Sequence, residues 1–163
     1  MYKKILIAIL VVATVLSVVS CGKTNSFTYA ELTLTFDRDF YEQESADYDL
    51  LVTNGKATAA LTRLSFVDAM NQNISSAMSA EAFAKYLLSK KGQTADVFYR
   101  ADYVYYTYRE NTADGEIYCM ATFYRTAYAY VVVLYATAAA REMEYREKFF
   151  EYADSAVMSL DAG

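Results

Sequence analysis

The chain has 163 residues, of which 55% are hydrophobic and 21% charged, and this composition excludes an intrinsically disordered protein. Its net charge of −5 and its lack of histidine exclude a basic phosphate-binding surface and all histidine-based catalysis or metal binding. The sequence therefore predicts a single domain with no nucleic-acid partner and no cofactor.

The first 20 residues have the features of a targeting sequence. A basic start precedes an apolar run at residues 5–19, which is too short for a stable transmembrane helix. The run ends in Val18-Val19-Ser20-Cys21, which resembles the lipobox of bacterial lipoproteins. This resemblance implies cleavage between Ser20 and Cys21 and a lipid on Cys21 that anchors the protein to the extracytoplasmic face of a bacterial membrane. The alternatives are an ordinary secretory signal with a coincidental cysteine, or an uncleaved short anchor.

The first half of the mature chain is predicted to be a polar tether followed by strands. The tether covers residues 21–28, and one domain covers residues 29–160. Period-two alternation predicts strands at residues 31–36, 48–53 and 56–66. Asn54-Gly55 lies between the last two strands and is a strong hairpin signal.

A helix and three more strands are predicted next along the chain. Ser79 is a candidate N-cap with Glu81 in the first turn, and Gly92 is a candidate C-cap. Residues 97–110 indicate one long or bent strand, and residues 116–125 and 127–137 indicate two more. The last of these is apolar on both faces, which is typical of a central strand.

The last predicted element is an amphipathic helix at residues 139–159, with Tyr145, Phe149 and Tyr152 on its apolar face. The element order then predicts an α+β protein with a mainly antiparallel sheet of about six strands and helices packed on it.

This pattern resembles the PsbP/Mog-like superfamily. The similarity rests on Phe36 followed by Asp39-Phe40-Tyr41, on Tyr48-Asp49-Leu50-Leu51-Val52, on the strands at 116–125 and 128–137, and on the helix at 145–157. The resemblance implies an α-β-α sandwich and a binding or assembly protein, and it carries over no catalytic residue.

Tyrosines dominate the second group of strands. Alternation places Tyr103 and Tyr105 on one face of their strand, and Tyr106 and Tyr108 on the other. These four residues are a candidate surface for a protein, peptide or glycan ligand, because tyrosine combines a large apolar ring with a polar end. The alternative is ordinary cross-strand aromatic pairing beneath helices.

Two further features have a functional and a simpler interpretation. Residues 37–49 carry six carboxylates that could bind Ca²⁺ or a basic partner, but their spacing does not match an EF-hand. The simpler interpretation, an acidic loop exposed to solvent, is favoured. Cys119 is the one thiol left once Cys21 is lipidated, and it is predicted to be a small buried apolar residue.

The sequence therefore predicts a membrane-anchored, non-enzymatic binding or assembly module. The alternative is a small envelope hydrolase that uses carboxylates or tyrosines on the sheet. A concave pocket with two converging acids and a raised carboxylate pKa would favour the hydrolase.

Overall fold

The structure is a computed structural model that describes residues 24–159. The predicted signal peptide, Ser20 and the lipid site at Cys21 lie outside the described residues. In chain order the elements are β1 (Thr24–Tyr29), β2 (Leu32–Asp37), β3 (Tyr41–Glu42), β4 (Leu50–Thr53), β5 (Ala57–Ser65), α1 (Phe66–Asn71), α2 (Ala80–Lys90), β6 (Phe98–Arg100), β7 (Tyr103–Thr112), β8 (Gly115–Arg125), β9 (Ala129–Ala138), the 3-10 turn Ala139–Arg141, α3 (Glu142–Asp154) and β10 (Val157–Met158).

The main sheet has seven strands in the order β3-β4-β5-β9-β8-β7-β6. Every neighbouring pair in it is antiparallel. Strand β9 lies at the centre, where Val131 and Val133 are buried on one face and Val132 and Leu134 are half-buried on the other. The predicted central position of this strand is confirmed.

One face of the main sheet is covered by α3 and by a second sheet of three strands in the order β1-β2-β10. Strand β2 buries Leu32, Leu34 and Phe36 there, because its apolar residues alternate with threonines. Helix α3 buries Phe149 and Tyr152 against the same core, which we call the α3-side core.

The opposite face is covered by α1 and α2, which form the α2-side core. The Phe83 ring of α2 stacks on the Tyr130 ring of β9 with 4.2 Å between centroids. Phe123 and Tyr106 of the sheet extend this core. The predicted α+β class and α-β-α sandwich are therefore confirmed, with the small sheet added to the α3 layer.

Helix α2 begins and ends where the sequence predicts. The Ser79 hydroxyl accepts a hydrogen bond from the Ala82 amide at 3.1 Å and caps the first turn. Gly92 adopts a φ of +65°, and the Gln93 amide then closes the last turn on the Leu88 carbonyl.

The predicted polar tether is wrong for residues 24–28, which form most of strand β1. The strand exposes Ser26 and Thr28, whose hydroxyls pair with Thr35 and Thr33 of β2 at 3.0 and 2.8 Å. The sequence of such a strand, with one polar face and few large apolar residues, resembles that of a loop unless its partner strand is known.

Two predicted strand boundaries are also corrected. The single strand expected at residues 97–110 is a hairpin of β6 and β7, which turns at Ala101 with a φ of +46°. The strand predicted to end at Phe66 ends at Ser65, whose side chain accepts from the Asp68 amide and starts α1.

The last predicted helix is shorter than expected. Helix α3 ends at Asp154, and β10 pairs with β2 where helix was predicted to continue. With β1, β3 and β10 the described residues hold more strands than the six predicted. None of the described helices has the length and apolar character needed to cross a bilayer.

Candidate functional site

The four candidate ligand-binding tyrosines lie in two different cores. Tyr103 and Tyr105 face α3, where Tyr105 packs edge-on against Phe150 with 5.0 Å between centroids. Tyr106 and Tyr108 face the α2 side, and Tyr103 and Tyr106 are buried. The structure does not bring these residues together as one exposed platform, and the pairing beneath helices describes them better.

The hydroxyl groups of Tyr103 and of Tyr124 on the neighbouring strand form hydrogen bonds that a phenylalanine could not make. The Tyr103 hydroxyl donates to Asp154 at the end of α3 at 2.9 Å, and burial raises the pKa of this tyrosine. The Tyr124 hydroxyl donates to the Ala153 carbonyl at 3.1 Å. Each ring therefore fills the core while its polar end fixes the position of α3 on the sheet.

The acidic segment at residues 37–49 splits into paired and unpaired carboxylates. Asp37 accepts from Lys148 and Tyr152, and Asp49 accepts from the Arg63 amide at 2.6 Å. In the part of the chain that the structure describes, no three acidic or cysteine side chains are grouped to bind a metal. Asp39 also accepts from the Asn54 side chain at 3.0 Å, so three of the six carboxylates are engaged in holding the fold.

Glu42 and Glu44 remain exposed at the edge of the main sheet. They line an open cleft of about 630 Å³ between strand β4 and the loop that precedes it. The cleft forms because β3 has only two residues, so the following loop leaves the sheet edge after the Gln43 amide binds the Leu51 carbonyl. Its lining is mainly loop residues and offers no enclosed binding volume.

Among residues 24–159, every carboxylate with a shifted pKa is paired with a cation, and each of these pKa values is lowered. The hydrogen bond from Lys148 lowers the pKa of Asp37, and the hydrogen bond from Arg100 lowers the pKa of Asp154. Burial would raise the pKa of Glu31, but hydrogen bonds from Thr126 and Arg63 outweigh it and the pKa is lowered. A general acid requires the opposite shift.

Cys119 is 1% exposed on the α2 side of β8, as the sequence predicts for a small apolar residue. Burial raises the pKa of its thiol to about 11. A thiol with this pKa is protonated at neutral pH and is a poor nucleophile.

The sequence does not reveal an exposed apolar surface at the end of the molecule where β8 ends and α1 begins. We call it the distal rim and define it by Val67, Met70, Tyr99 and Tyr128. All four side chains are exposed, and Tyr99 is 70% exposed. The sequence did not predict the rim because Val67 and Met70 lie on α1. The alternating pattern of the preceding strand runs into the start of this helix and makes it hard to recognise.

Arg125 fixes α1, which carries Val67 and Met70 of the distal rim. Its guanidinium lies over the Phe66 ring of α1, with 5.0 Å between its central carbon and the ring centroid. It also donates to the Met78 and Ser76 carbonyls, both at 3.1 Å, and so joins α1 to the segment before α2. The Phe66 amide in turn donates to the Tyr128 carbonyl at 2.9 Å.

Tyr99 completes the rim from the edge strand β6. Its hydroxyl donates to Glu81 in the first turn of α2, and Glu81 also accepts from Lys85 at 2.6 Å. A shallow cleft of about 240 Å³ lies beside these residues and is lined by Ala101 and Val104. The rim is therefore a fixed apolar surface with aromatic and charged edges, a composition typical of protein interfaces.

Solved structures with the same architecture include two bacterial proteins. The solution structure of cyanobacterial PsbP from Synechocystis matches with a TM-score of 0.54 and 13% identity, over 86% of this chain and 98% of that chain. The chain has a PsbP-like fold. This PsbP-like fold also matches a crystal structure from Bacteroides thetaiotaomicron with a TM-score of 0.60 and 10% identity.

The second match covers 87% of this chain but 51% of the Bacteroides chain, so the PsbP-like domain spans about half of that protein. No protein-family model and no curated protein sequence matches this chain. At such low identity the likeness concerns the PsbP-like fold alone, and it assigns no residue a role.

Proposed function

We propose that this protein is a lipid-anchored extracytoplasmic binding or assembly module without a catalytic role. The observation that carries the proposal is the Val18-Val19-Ser20-Cys21 motif after a short apolar run. A diacylglycerol thioether on Cys21 would hold the protein on a membrane, because each buried methylene contributes about 0.8 kcal/mol. The PsbP-like domain would then lie outside the cytoplasm.

The lipid anchor is tested by replacing Cys21 with serine. We expect Cys21→Ser to abolish labelling by radioactive palmitate and to release the protein from the membrane fraction, because serine lacks the thiol that forms the thioether. Cys119→Ser is the matched control and should keep both labelling and membrane retention, since Cys119 is buried. Persistent labelling of the Cys21→Ser variant would refute the anchor.

Binding is favoured over hydrolysis by the state of the carboxylates. The shifted acids among the described residues are Glu31, Asp37, Glu81 and Asp154, and the pKa of each is lowered. Each is paired with a cation, which keeps it ionised and unable to donate a proton at neutral pH. The distal rim supports the binding role because its large apolar side chains are exposed at the surface of the domain.

The binding role is tested with a variant of the rim. We expect a partner protein captured from detergent-solubilised membranes to be lost from the Val67→Ser, Met70→Ser double variant, because the contact surface becomes polar. Tyr41→Ser is the control, since Tyr41 is equally exposed but lies on the edge strand β3. Equal capture by the rim variant and the wild type would contradict a role for the rim.

A further inference from the structure

The chain between the proposed lipid and the folded domain is very short. Strand β1 begins at Thr24, three residues after Cys21. Three residues span at most about 11 Å when fully extended. A lipid on Cys21 would therefore hold one particular end of the domain against the bilayer rather than let it turn freely.

Hydrogen bonds bring two cationic residues to this end. Thr24 pairs with Asp37 at the end of β2, and the Asn25 side chain donates to the Arg38 carbonyl at 2.9 Å. The Asn54 side chain donates to Asp39 at 3.0 Å and so brings the turn that carries Lys56 to the same place.

The first turn of helix α3 also lies at this end of the molecule. It runs antiparallel to β2, from Lys148 beside Asp37 to Ser155 beside Thr35. Met143 precedes Lys148 by more than one turn and therefore lies beyond the end of β2. This methionine is 90% exposed, the highest value among the large exposed apolar residues that the structure describes.

Charges of both signs lie at this end: Asp39 and Asp114 are exposed there, and so are two cations that can contact an anionic surface. Arg38 and Lys56 are exposed, and neither forms an ion pair within residues 24–159. The two glutamates beside Met143 are already neutralised: Arg109 binds Glu142 at 2.5 Å and Arg141 binds Glu144 at 2.9 Å. We call the surface defined by Thr24, Arg38, Lys56 and Met143 the anchor end.

We propose that the anchor end rests on an anionic phospholipid surface, with Met143 in the headgroup region and Arg38 and Lys56 against lipid phosphates. This inference rests on the proposed lipid anchor. Strand β8 runs from the anchor end to the distal rim over 11 residues, or about 36 Å. The docked domain would therefore present the distal rim to partners away from the membrane.

The orientation is tested with tryptophan reporters, because the chain contains no tryptophan. The chain from residue 21 retains every described element and is coupled through the Cys21 thiol to a maleimide lipid in vesicles of phosphatidylglycerol and phosphatidylcholine. Cys119 is buried and does not compete for the maleimide. We expect Met143→Trp to show a blue-shifted emission and quenching by brominated lipids.

Met70→Trp on the distal rim is the matched control and should show neither effect. Emission from Met143→Trp that resembles that in lipid-free buffer, or an equal shift of Met70→Trp, would overturn the proposed orientation.

The role of the two cations is tested in the Met143→Trp protein. There, Arg38→Glu with Lys56→Glu should reduce quenching on these vesicles to the level on pure phosphatidylcholine. Unchanged quenching would overturn the assignment of the two cations, with circular dichroism verifying that each variant is folded.

This experiment separates the two proposals. The lipid is attached chemically, so the result does not depend on processing in the cell. Loss of membrane contact by the anchor end with normal palmitate labelling of Cys21 would refute the orientation alone. Normal contact with no labelling in cells would refute the anchor alone.

Discussion

Glu31 is the one charged residue that is fully buried in the part of the chain that the structure describes, with 1% exposure. Its two carboxylate oxygens accept from Arg63 at 2.9 Å and from Thr126 at 2.7 Å. These contacts join the β1–β2 turn to β5 and to the β8–β9 turn. A buried charge requires such partners, because an unpaired one is strongly destabilising.

We expect Glu31→Gln to lower the free energy of unfolding by about 3 kcal/mol, because it leaves Arg63 without its counter-charge in a largely buried position. Urea denaturation of the variant and the wild type measures this difference. Glu81→Gln, which breaks an exposed pair with Lys85, is the control and should change stability far less. Equal losses in the two variants would contradict the role assigned to Glu31.

Helix α3 shows how much of an element the sequence can predict. The three-and-four spacing of Tyr145, Phe149 and Tyr152 identifies the buried face, and all three are buried. The end of the helix was not predictable, because residues 155–162 contain no glycine or proline to stop it. It is set instead by tertiary contacts, with Asp154 bound by Arg100 and Ser155 bound to Thr35.

We expect Phe149→Ala to cost about 3–5 kcal/mol, because the ring is 1% exposed and its removal leaves a cavity beside Tyr118 and Tyr135. Met143→Ala on the same helix should change stability by less than about 0.5 kcal/mol, since its side chain is exposed. Thermal or urea unfolding measures the loss of stability in each variant. Similar values for both variants would show that the buried face is misplaced.

The ends of strands, like the end of α3, are predictable only where the local sequence carries a signal for a turn. The β4–β5 hairpin was predictable because Asn54-Gly55 carries its own turn signal, and Gly55 adopts a φ of +78°. The β6–β7 turn was not, because Ala101 has no preference for its positive φ. The distal rim depends on α1 and was missed for a similar reason, since the local signs of that helix are confined to its first turn, at Ser65 and Asp68.

At the scale of the whole molecule, ion pairs attach helix α3 to both sheets. Lys148 binds Asp37 of the small sheet, and Arg100 of the edge strand β6 binds Asp154 of α3. The chain has no histidine, so no side chain with an ordinary pKa between 5 and 8 is present. Its stability should therefore vary little across that range of pH.

We expect the free energy of unfolding to fall as the pH drops below about 4. The pKa values of Asp37 and Asp154 are lowered in the folded state, so the unfolded chain takes up these protons first and acid favours it. Urea midpoints measured from neutral to acidic pH follow this loss. The Asp37→Asn, Asp154→Asn double variant should show a shallower fall, and an identical slope would contradict the assignment.

The central position of β9 also constrains the order in which the chain can fold. Strand β5 pairs along its whole length with β9, from Ala57 with Thr137 to Ser65 with Ala129. The chain between these two strands is long, because it contains α1, α2 and the strands β6 to β8. Long loops make such pairing slow, because closing them costs chain entropy before contacts form. During synthesis from the amino end, the β4–β5 hairpin is therefore complete while its inner edge still has no partner, until residues 129–138 have been made.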